Sequence, residues 1–520
     1  SSDLNKSNLI KRGAAAVFAG TIALSLAACG NGTKNSKNGE LTYWVRIPGN
    51  ISTSVANYGE TNFAQEYMKR TGIKVSYIHP AQGQESEALN LLLASGNLPD
   101  IIETDWLSRN PDSMIAQKVI QPLNSIIDKN APNFKKYLEE NPDIAIAAKT
   151  DSGQYYAFPF VRNGEKLLNV SGFYMRDDWM KELGLEYPET LDEWEEVLTA
   201  FKEKKGAKGP LVTGSTSLLN LASGYGIDDG FYVEDGKVKY GVTDPAFGKF
   251  LETMNRWYKN GLIDKNLPTM EAKYGNSCML DGSAGVSFGA GGSGMGVLLT
   301  SAKSNGNENY SLRAVKAPAE TKGAMPKFSN RETKLSSKGA AAITANCKNV
   351  DLAAKFLDYS YSDEGEMLNN FGIEGESYTM VDGEPKYTEN ITNSPKGLSM
   401  AQALGMYVRS CAEGPFVQDE RYIEQYYPTD QQREALDIWS INETEKRQMP
   451  LVTLTADEQT EYSNIMTDFE TFKSENIIAF IIGTRPINEF DKFVQECKSR
   501  NLDRAVEIYQ TAYERYMNRK

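Results

Sequence analysis

The segment from residue 41 to residue 103 alternates between apolar strand patterns and amphipathic helical patterns, and this alternation constrains the fold more than any other feature. Strand character is found at residues 41–45, 73–77 and 99–103. Between these strands, residues 60–70 and 85–95 carry apolar side chains at helical spacing, and Gly96 can end the second helix in the left-handed conformation. Because a helix that connects two strands in this way makes them parallel, the pattern predicts an α/β lobe with a mostly parallel sheet.

The N-terminal residues have the parts of a lipoprotein signal peptide. A basic stub over residues 6–12 precedes the uncharged run 14–28, which is too short for a permanent membrane span, and the sequence Leu-Ala-Ala-Cys that ends at Cys29 matches a lipobox. We therefore expect a signal peptide over 1–28, a lipid on Cys29 and a flexible Gly/Asn-rich tether over 29–40. The remaining chain would then be anchored at the outer face of a cell membrane. The alternative is a buried N-terminal helix with an incidental cysteine.

Composition restricts the class of partner. With 520 residues, of which 40% are hydrophobic and 24% charged, the chain is globular and long enough for two or three cores. The formal net charge is −13, and it becomes −15 without residues 1–29, which hold three basic and one acidic side chain. An acidic body of this kind argues against nucleic acid or anionic lipid as the binding partner.

Few residues are suited to metal or redox chemistry. His79 is the only histidine, and the five cysteines include no CxxC pair. The commonest metal ligand and general base is therefore scarce, and we predict no metal, no cofactor and no catalytic residues. An enzyme built from this chain would have to depend on carboxylates.

A second group of elements begins near residue 172. Residues 172–175 have strand character, and Thr190 with Glu193 forms a capping box that starts a helix. Residues 338–344 then predict another strand and 350–361 another helix, before long amphipathic segments close the chain.

Several motifs occur in the order found in one family of exported proteins. They are Tyr43-Trp44, 92–101 (LLASGNLPDI), 156–159 (YAFP), 175–185 (MRDDWMKELGL), 353–359 (AAKFLDY), 371–375 (FGIEG), 490–493 (FDKF) and 508–516 (IYQTAYERY). Together with the lipobox, these motifs resemble the extracellular solute-binding proteins of family 1, in particular the large lipoproteins of Gram-positive bacteria.

The resemblance implies a two-lobed α/β fold of the periplasmic-binding-protein (Venus-flytrap) type, with hinge crossovers and C-terminal helices. It implies a monomeric binding protein and not an enzyme. Such a protein closes its lobes on a small-molecule ligand, here expected to be a carbohydrate and most simply an oligosaccharide, and delivers it to the transmembrane subunits of an ABC permease. Hinge closure over a cleft is a well-established class of motion.

The same resemblance suggests boundaries for the lobes. The first lobe should comprise 41–160 with part of 340–370 and the C-terminal helices 461–520. The second lobe should comprise 165–335 with 371–460. Crossovers are expected near 155–175, near 335–345, and after the helix at 350–361.

Candidate ligand contacts follow from the rule that open α/β sheets bind ligands beyond the carboxyl ends of their strands. Trp44 and Arg46 leave the first strand, and Asp105 and Trp106 leave the third; for each, the alternative is a role in the hinge or core. The other candidates lie at the first crossover, in the second lobe and after a Gly-rich turn: Tyr156 and Arg162, Tyr225 and Phe288, and Glu376 and Tyr378. For Arg162 the alternative is an ion pair with a carboxylate.

The chain departs from the resemblance in two places. Related sugar binders often place a tryptophan after the strand at 284–288, but this chain has the segment 289–294 (GAGGSG), whose bare backbone leaves room for a bulky or extended ligand. Some relatives also carry a calcium loop where residues 204–209 (KKGAKG) provide cations, and we predict no calcium there.

Two other functions remain open from the sequence alone. One is a secreted glycan-cleaving enzyme that uses two carboxylates, such as Asp105 with Glu376. The other is a binder of peptides or other solutes on the same fold, because a fold does not determine its ligand.

Overall fold

The computed structural model describes residues 39–409 and 413–519. The predicted signal peptide and Cys29 lie outside the described residues. The strands are β1 Glu40–Trp44, β2 Lys74–Ile78, β3 Ile101–Thr104, β4 Phe158–Asn163, β5 Ser171–Arg176, β6 Phe231–Glu234, β7 Lys237–Tyr240, β8 Val286–Ala290, β9 Leu312–Val315, β10 Leu335–Ile343, β11 Tyr378–Val381, β12 Glu384–Tyr387 and β13 Val417–Asp419.

The α-helices connect these strands and close the chain. They are α1 Asn62–Thr71, α2 Glu85–Ser95, α3 Pro111–Ala116, α4 Asn124–Asn130, α5 Pro132–Glu140, α6 Pro142–Ala147, α7 Asp177–Leu183, α8 Leu191–Lys205, α9 Ser215–Leu218, α10 Pro245–Lys259, α11 Ala272–Asp281, α12 Val297–Ser304, α13 Val350–Asp358, α14 Asp363–Phe371, α15 Glu389–Thr392, α16 Met400–Tyr407, α17 Arg421–Tyr426, α18 Asp430–Trp439, α19 Ala456–Ile482, α20 Phe490–Ser499 and α21 Leu502–Met517. Over the described part of the chain, no helix combines the length and the apolar character needed to cross a bilayer.

The first lobe is built on a six-stranded sheet with the order β13-β4-β10-β3-β1-β2. β1 pairs in parallel with both β2 and β3, which confirms the β-α-β prediction for residues 41–103. β10 lies antiparallel between β3 and β4, because it enters this sheet from the other lobe. Neighbouring residues on β1 point to opposite faces. Tyr43 packs in one buried cluster and Trp44 in another.

The second lobe is built on a smaller antiparallel sheet with the order β8-β5-β9. Leu211 extends this sheet by bridging to Val286 of β8 and to Ile263. Helices α8 and α10 bury Trp194 and Trp257 completely in the core beside it. The Thr190–Glu193 capping box at the start of α8 is confirmed, with both reciprocal hydrogen bonds present.

The chain crosses between the lobes where it leaves one sheet for the other. These crossings are 164–170 after β4, 316–334 before β10 and 420–429 after β13. The first agrees with the prediction, and the second lies just before the range expected. The third comes later than predicted, because α14 packs against β13 and α1 and so remains on the first lobe.

The structure corrects two of the predicted lobe assignments. The C-terminal helices, expected on the first lobe within 461–520, pack on the second: α19 lies along α10, and Phe469, Phe480 and Phe493 join its core. Residues 371–409, expected on the second lobe within 371–460, contact the first. Here Asn50 Nδ2 donates to the Ala401 carbonyl at 2.6 Å, for example.

The ends of the C-terminal helices also reach the first lobe. Asp151 accepts from Arg515 Nε at 2.6 Å and from Arg519 Nη2 at 2.7 Å. The Arg519 side chain is 3% exposed, so its charge depends on this partner. Arg515 in turn pairs with Glu458 at the start of α19, at 2.5 Å. An ion cluster therefore joins the helices of the second lobe to the first.

Replacing Asp151 tests this connection. We expect Asp151→Asn to lower the free energy of unfolding by about 2–3 kcal/mol, because the buried Arg519 guanidinium loses its counter-charge and Arg515 keeps only Glu458. Urea denaturation measures the change. Asp128→Asn is the matched control, since the Asp128–Lys135 pair is exposed and should contribute at most about 1 kcal/mol. Equal losses in the two variants would contradict a structural role for the cluster.

His79, the single histidine, follows β2 and forms hydrogen bonds with the segment after β1 and with Tyr58. His79 Nδ1 lies 2.7 Å from the Val45 carbonyl, and the Tyr58 backbone N–H donates to Nε2 at 3.0 Å. This arrangement requires the neutral ring with its proton on Nδ1, because only an unprotonated Nε2 can accept. Burial lowers the pKa of His79, against weaker opposition from the Val45 hydrogen bond.

The charge state of His79 can be measured without ambiguity, because it is the only histidine in the sequence and its NMR signal needs no assignment. We expect the NMR signal of ¹³C-labelled histidine to titrate with a midpoint below about 6.5, the ordinary value. Since the unfolded chain then binds the proton more readily, the free energy of unfolding should fall as the pH drops below about 6.5. A midpoint at or above the ordinary value would show that the neutral ring is not required.

Candidate functional site

A cavity of about 400 Å³ opens at the carboxyl ends of β1 and β3 in the first lobe. This is the edge of the sheet at which parallel strands of an open α/β fold present their ligand site. The residues around the cavity are mostly charged or polar: Trp44, Arg46, Glu85, Ser86, Leu89, Glu103, Thr104, Asp105, Ser108, Arg109, Lys338, Gly339 and Glu413.

Short local segments place these side chains. Trp44 ends β1 and Arg46 follows two residues later, whereas Glu103 and Thr104 end β3 and Asp105 follows at once. Glu85 begins α2, which connects β2 to β3. The carboxyl ends of β1 and β3 and the N-terminus of α2 therefore meet at the cavity.

A close backbone approach completes the rim. Gly339 has φ +69°, and a Cβ there would lie 2.6 Å from the Glu413 Cβ and 2.7 Å from the Gly414 nitrogen. Only glycine combines this left-handed conformation with the contact. The bulge that it forms in β10 brings Lys338 and the segment at Glu413 to the cavity.

A buried ion pair lies under the cavity. Arg409 Nη2 donates to both oxygens of Glu103, at 2.6 and 2.5 Å, and the Tyr43 hydroxyl donates to Glu103 at 2.6 Å. Burial lowers the pKa of Arg409, but Glu103 opposes this and raises it well above the ordinary value, so the guanidinium stays charged. Burial also raises the pKa of Glu103; nevertheless, two short bonds from a guanidinium favour the carboxylate, and we assign the ionised pair.

The rim carries a second layer of polar contacts. Arg46 Nε lies 2.5 Å from Glu413 Oε1, and Arg109 Nη1 donates to Asn90 Oδ1 at 2.9 Å. Asp105 accepts from the Ser108 backbone N–H at 3.2 Å, which leaves carboxylate lone pairs for a ligand. The cavity therefore offers donors and acceptors close together, as a ligand with many hydroxyl groups requires.

Of the residues predicted from the sequence, Trp44, Arg46 and Asp105 line the cavity. Trp44 is 6% exposed and packs mainly in the core, so it offers little ring surface to the cavity. Arg46 and Asp105 offer polar groups directly. Their contact with a ligand stays a prediction.

The structure places Trp106 and Tyr156 in the core beneath this region. Trp106 is fully buried, and its Nε1 donates to the Ile102 carbonyl at 3.1 Å. Tyr156 is buried in the same cluster. Arg162 takes the alternative role: it donates to the Thr333 carbonyl at 3.0 Å and pairs with Glu332 at 3.4 Å, both in the second crossing. None of these residues lines the cavity.

The remaining predicted residues also lie away from the cavity. The Tyr225 hydroxyl pairs with that of Thr253 at 2.8 Å, and the Phe288 ring packs edge-on against the second-lobe core. Tyr378 is buried in the β11–β12 hairpin, and the Glu376 side chain is exposed beside it.

The glycine-rich segment does not leave open space for a ligand. A Cβ on Gly291 would lie 2.5 Å from the Tyr427 ring, and one on Gly292 would lie 3.1 Å from the Tyr426 ring. Gln432 Nε2 donates to the Gly291 carbonyl at 2.8 Å. The prediction of room for a bulky ligand is therefore wrong, because side chains from the third crossing and from α18 fill that volume.

Sequence reasoning missed several residues of the cavity: Glu85, Glu103, Arg109, Lys338 and Glu413. Glu103 could have been found, since a charged residue within a buried strand needs a partner. Glu413 and Lys338 carry no local signal, because only the tertiary fold brings them to β3.

The described residues contain no group of three or more His, Cys, Asp or Glu side chains arranged to hold a metal ion. The absence of calcium at 204–209 remains a prediction.

Comparison with known proteins identifies relatives of the whole fold. A Streptococcus pneumoniae protein, the fructooligosaccharide ABC transporter substrate-binding protein FusA, is 26% identical over 492 residues, which cover 88% of this chain and 87% of FusA. Lipoprotein LipO of Bacillus subtilis is 24% identical and covers 69% of this chain and 72% of its own length. The crystal structure of alginate-binding protein AlgQ2 without calcium ion aligns with TM-score 0.73 and 26% identity, covering 92% of this chain and 99% of AlgQ2.

These likenesses agree with the two-lobed fold described above. The family model for bacterial extracellular solute-binding proteins matches residues 53–367, which is more than half of the chain and includes the three-stranded sheet, four strands of the six-stranded sheet and two crossings. The chain therefore belongs to the bacterial extracellular solute-binding protein family.

Proposed function

We propose that this protein is the substrate-binding subunit of an ABC importer and that it binds an oligosaccharide between its two lobes. The observation that carries the proposal is the polar cavity at the carboxyl ends of β1 and β3, the edge of the sheet at which β4 ends and β10 begins and from which both connect to the crossings. Its charged and hydroxyl groups can donate to and accept from sugar hydroxyls. FusA is named for fructooligosaccharides and AlgQ2 for alginate, which supports a carbohydrate as the ligand class.

Within this proposal, Arg46, Asp105, Glu85 and Lys338 contact the ligand from the first lobe, and Glu103 with Arg409 holds the floor of the site rigid. The partner is the pair of transmembrane permease subunits. Residues 1–28 are removed and Cys29 carries the lipid that anchors the protein outside the cell. The lipoprotein name of the relative LipO supports the anchor.

The structure does not bring together Asp105 and Glu376, the two carboxylates suggested for a glycan-cleaving enzyme. Asp105 lines the cavity, but Glu376 is exposed near the β11–β12 hairpin and does not. Of the carboxylates that do line the cavity, Glu103 and Glu413 are engaged by arginines. A binding role needs no such pair.

A thermal-shift screen tests the ligand class. We expect a member of a panel of oligosaccharides to raise the melting temperature of the purified protein, because a ligand at about 100 times its Kd adds about 2.7 kcal/mol to the folded state. Monosaccharides and peptides serve as controls. A shift with peptides and with no sugar would contradict the proposal. Shortening of the stabilising sugar on incubation would instead favour the enzyme.

The contribution of Asp105 can be measured directly. We expect Asp105→Ala to weaken binding of the stabilising oligosaccharide about 10- to 100-fold, because a hydrogen bond to a charged acceptor contributes about 1.5–3 kcal/mol. Isothermal titration calorimetry gives the Kd. Asp468→Ala is the control, since Asp468 is exposed on α19, far along the chain from this cavity. Unchanged affinity in Asp105→Ala would remove Asp105 from the site.

A further inference from the structure

The charges around the cavity are compensated almost completely, and this determines which carbohydrates the site can accept. We propose that the cleft selects uncharged oligosaccharides over oligosaccharides that contain uronic acids. The inference rests on the proposed function, because it concerns the class of carbohydrate. The relatives leave that class open: fructooligosaccharides are uncharged, whereas alginate is a polyanion.

The carboxylates of the cavity are Glu85, Glu103, Asp105 and Glu413. Glu103 is saturated by Arg409 and Tyr43 at 2.5–2.6 Å. Glu85 accepts from the Gly83 backbone N–H at 3.0 Å, and Asp105 accepts from Ser108, so both keep lone pairs that a hydroxyl group can use. A uronate placed beside them would meet like charge.

The cations of the cavity are largely committed to partners. Arg46 is bound by Glu413 at 2.5 Å. Burial lowers the pKa of Arg109, and the charge of Asp105 opposes this, so Asp105 lies within electrostatic reach of Arg109. Among the described residues, Lys338 forms no ion pair, but it is exposed at the rim and its charge is screened by water and salt.

If Arg409, which lies behind Glu103, is included, the cations around the cavity equal the carboxylates in number among the described residues. The cations are Arg46, Arg109, Lys338 and Arg409, and the carboxylates are Glu85, Glu103, Asp105 and Glu413. Recognition of a carboxylate ligand depends on an arginine or lysine with free donors, preferably in bidentate geometry. Here Arg46 already donates to Glu413, and Arg109 donates to the Asn90 amide. A uronate beside Arg46 would compete with Glu413, and a displaced Glu413 would lose its own counter-charge.

The segments that cross between the lobes show the same compensation. Lys166 of the first crossing pairs with Glu424 at 2.5 Å, and Arg331 of the second pairs with Glu165 at 3.2 Å. Arg162, at the end of β4 before the first crossing, pairs with Glu332 at 3.4 Å. The hinge therefore adds no uncompensated arginine beside the cleft.

The long-range field acts in the same direction. The formal net charge of −13 repels a polyanion before contact and slows its association. An uncharged oligosaccharide is not affected by this field. Local pairing and net charge thus both disfavour acidic glycans.

Matched ligands test the inference. Isothermal titration calorimetry of the purified protein would compare uncharged tri- and tetrasaccharides (fructo-, xylo-, manno- and malto-oligosaccharides) with galacturonate and mannuronate oligomers of the same lengths. We expect at least one uncharged sugar to bind about 100-fold more tightly than every uronate, since like-charge contacts cost several kcal/mol. The Kd of that sugar should change less than about twofold between 50 and 300 mM NaCl.

A variant then tests the mechanism. Glu413→Gln frees Arg46 without changing side-chain size, and we expect it to raise uronate affinity about tenfold relative to the uncharged sugar. Glu461→Gln is the matched control, because Glu461 forms a similar pair with Arg504 at 2.8 Å on the C-terminal helices. That control should leave the ratio of affinities unchanged.

The outcomes separate the two proposals. A uronate that binds as tightly as any uncharged sugar overturns the charge inference and leaves the oligosaccharide importer intact. An unchanged affinity ratio in Glu413→Gln also overturns it, because pairing of Arg46 would then not be the cause. Binding of neither sugar class overturns the proposed function itself.

Discussion

The buried pair between Glu103 and Arg409 joins parts of the chain that are separated by 306 residues, and the geometry of the cleft depends on it. A buried ion pair adds little net stability, but the loss of either partner is costly because the other charge is left in an apolar environment. The segment that carries Arg409 is therefore held against the end of β3. From there the chain runs through Glu413 to β13, which pairs with β4, and into the third crossing. The Glu103–Arg409 pair thus positions both the rim of the cavity and β13, the strand that leads into the third crossing.

The connection between the lobes has more than one part. Crossing segments link the two sheets, and the C-terminal helices provide a separate link, because they share the second-lobe core and end on Asp151 of the first lobe. Any movement of the lobes relative to each other would therefore involve both links. Paired charges suit such a place, because ion pairs hold two surfaces together while remaining partly hydrated.

Aromatic content was a poor guide to the site, for a physical reason. All six tryptophans are at most 6% exposed, since large apolar rings lower the free energy most when they are buried. The lining of the cavity is instead mostly polar, and Trp44 is the one aromatic residue among the described residues that form it. Under the proposed function, recognition in the first lobe would depend on directional hydrogen bonds and on the balance of charge, and less on a ring platform.

The sequence by itself determined the order of strands and helices in the first lobe, the capping box at Thr190 and the family, because periodicity, caps and short motifs are local properties. Its rule about strand ends also pointed to Arg46 and Asp105, which line the cavity. It could not assign the C-terminal helices or residues 371–409 to a lobe, since an amphipathic face does not specify which apolar surface will cover it. Nor could it find Lys338 and Glu413, or show that Tyr427 fills the space beside Gly291. Those features arise from contacts between distant segments, and only the tertiary structure decides them.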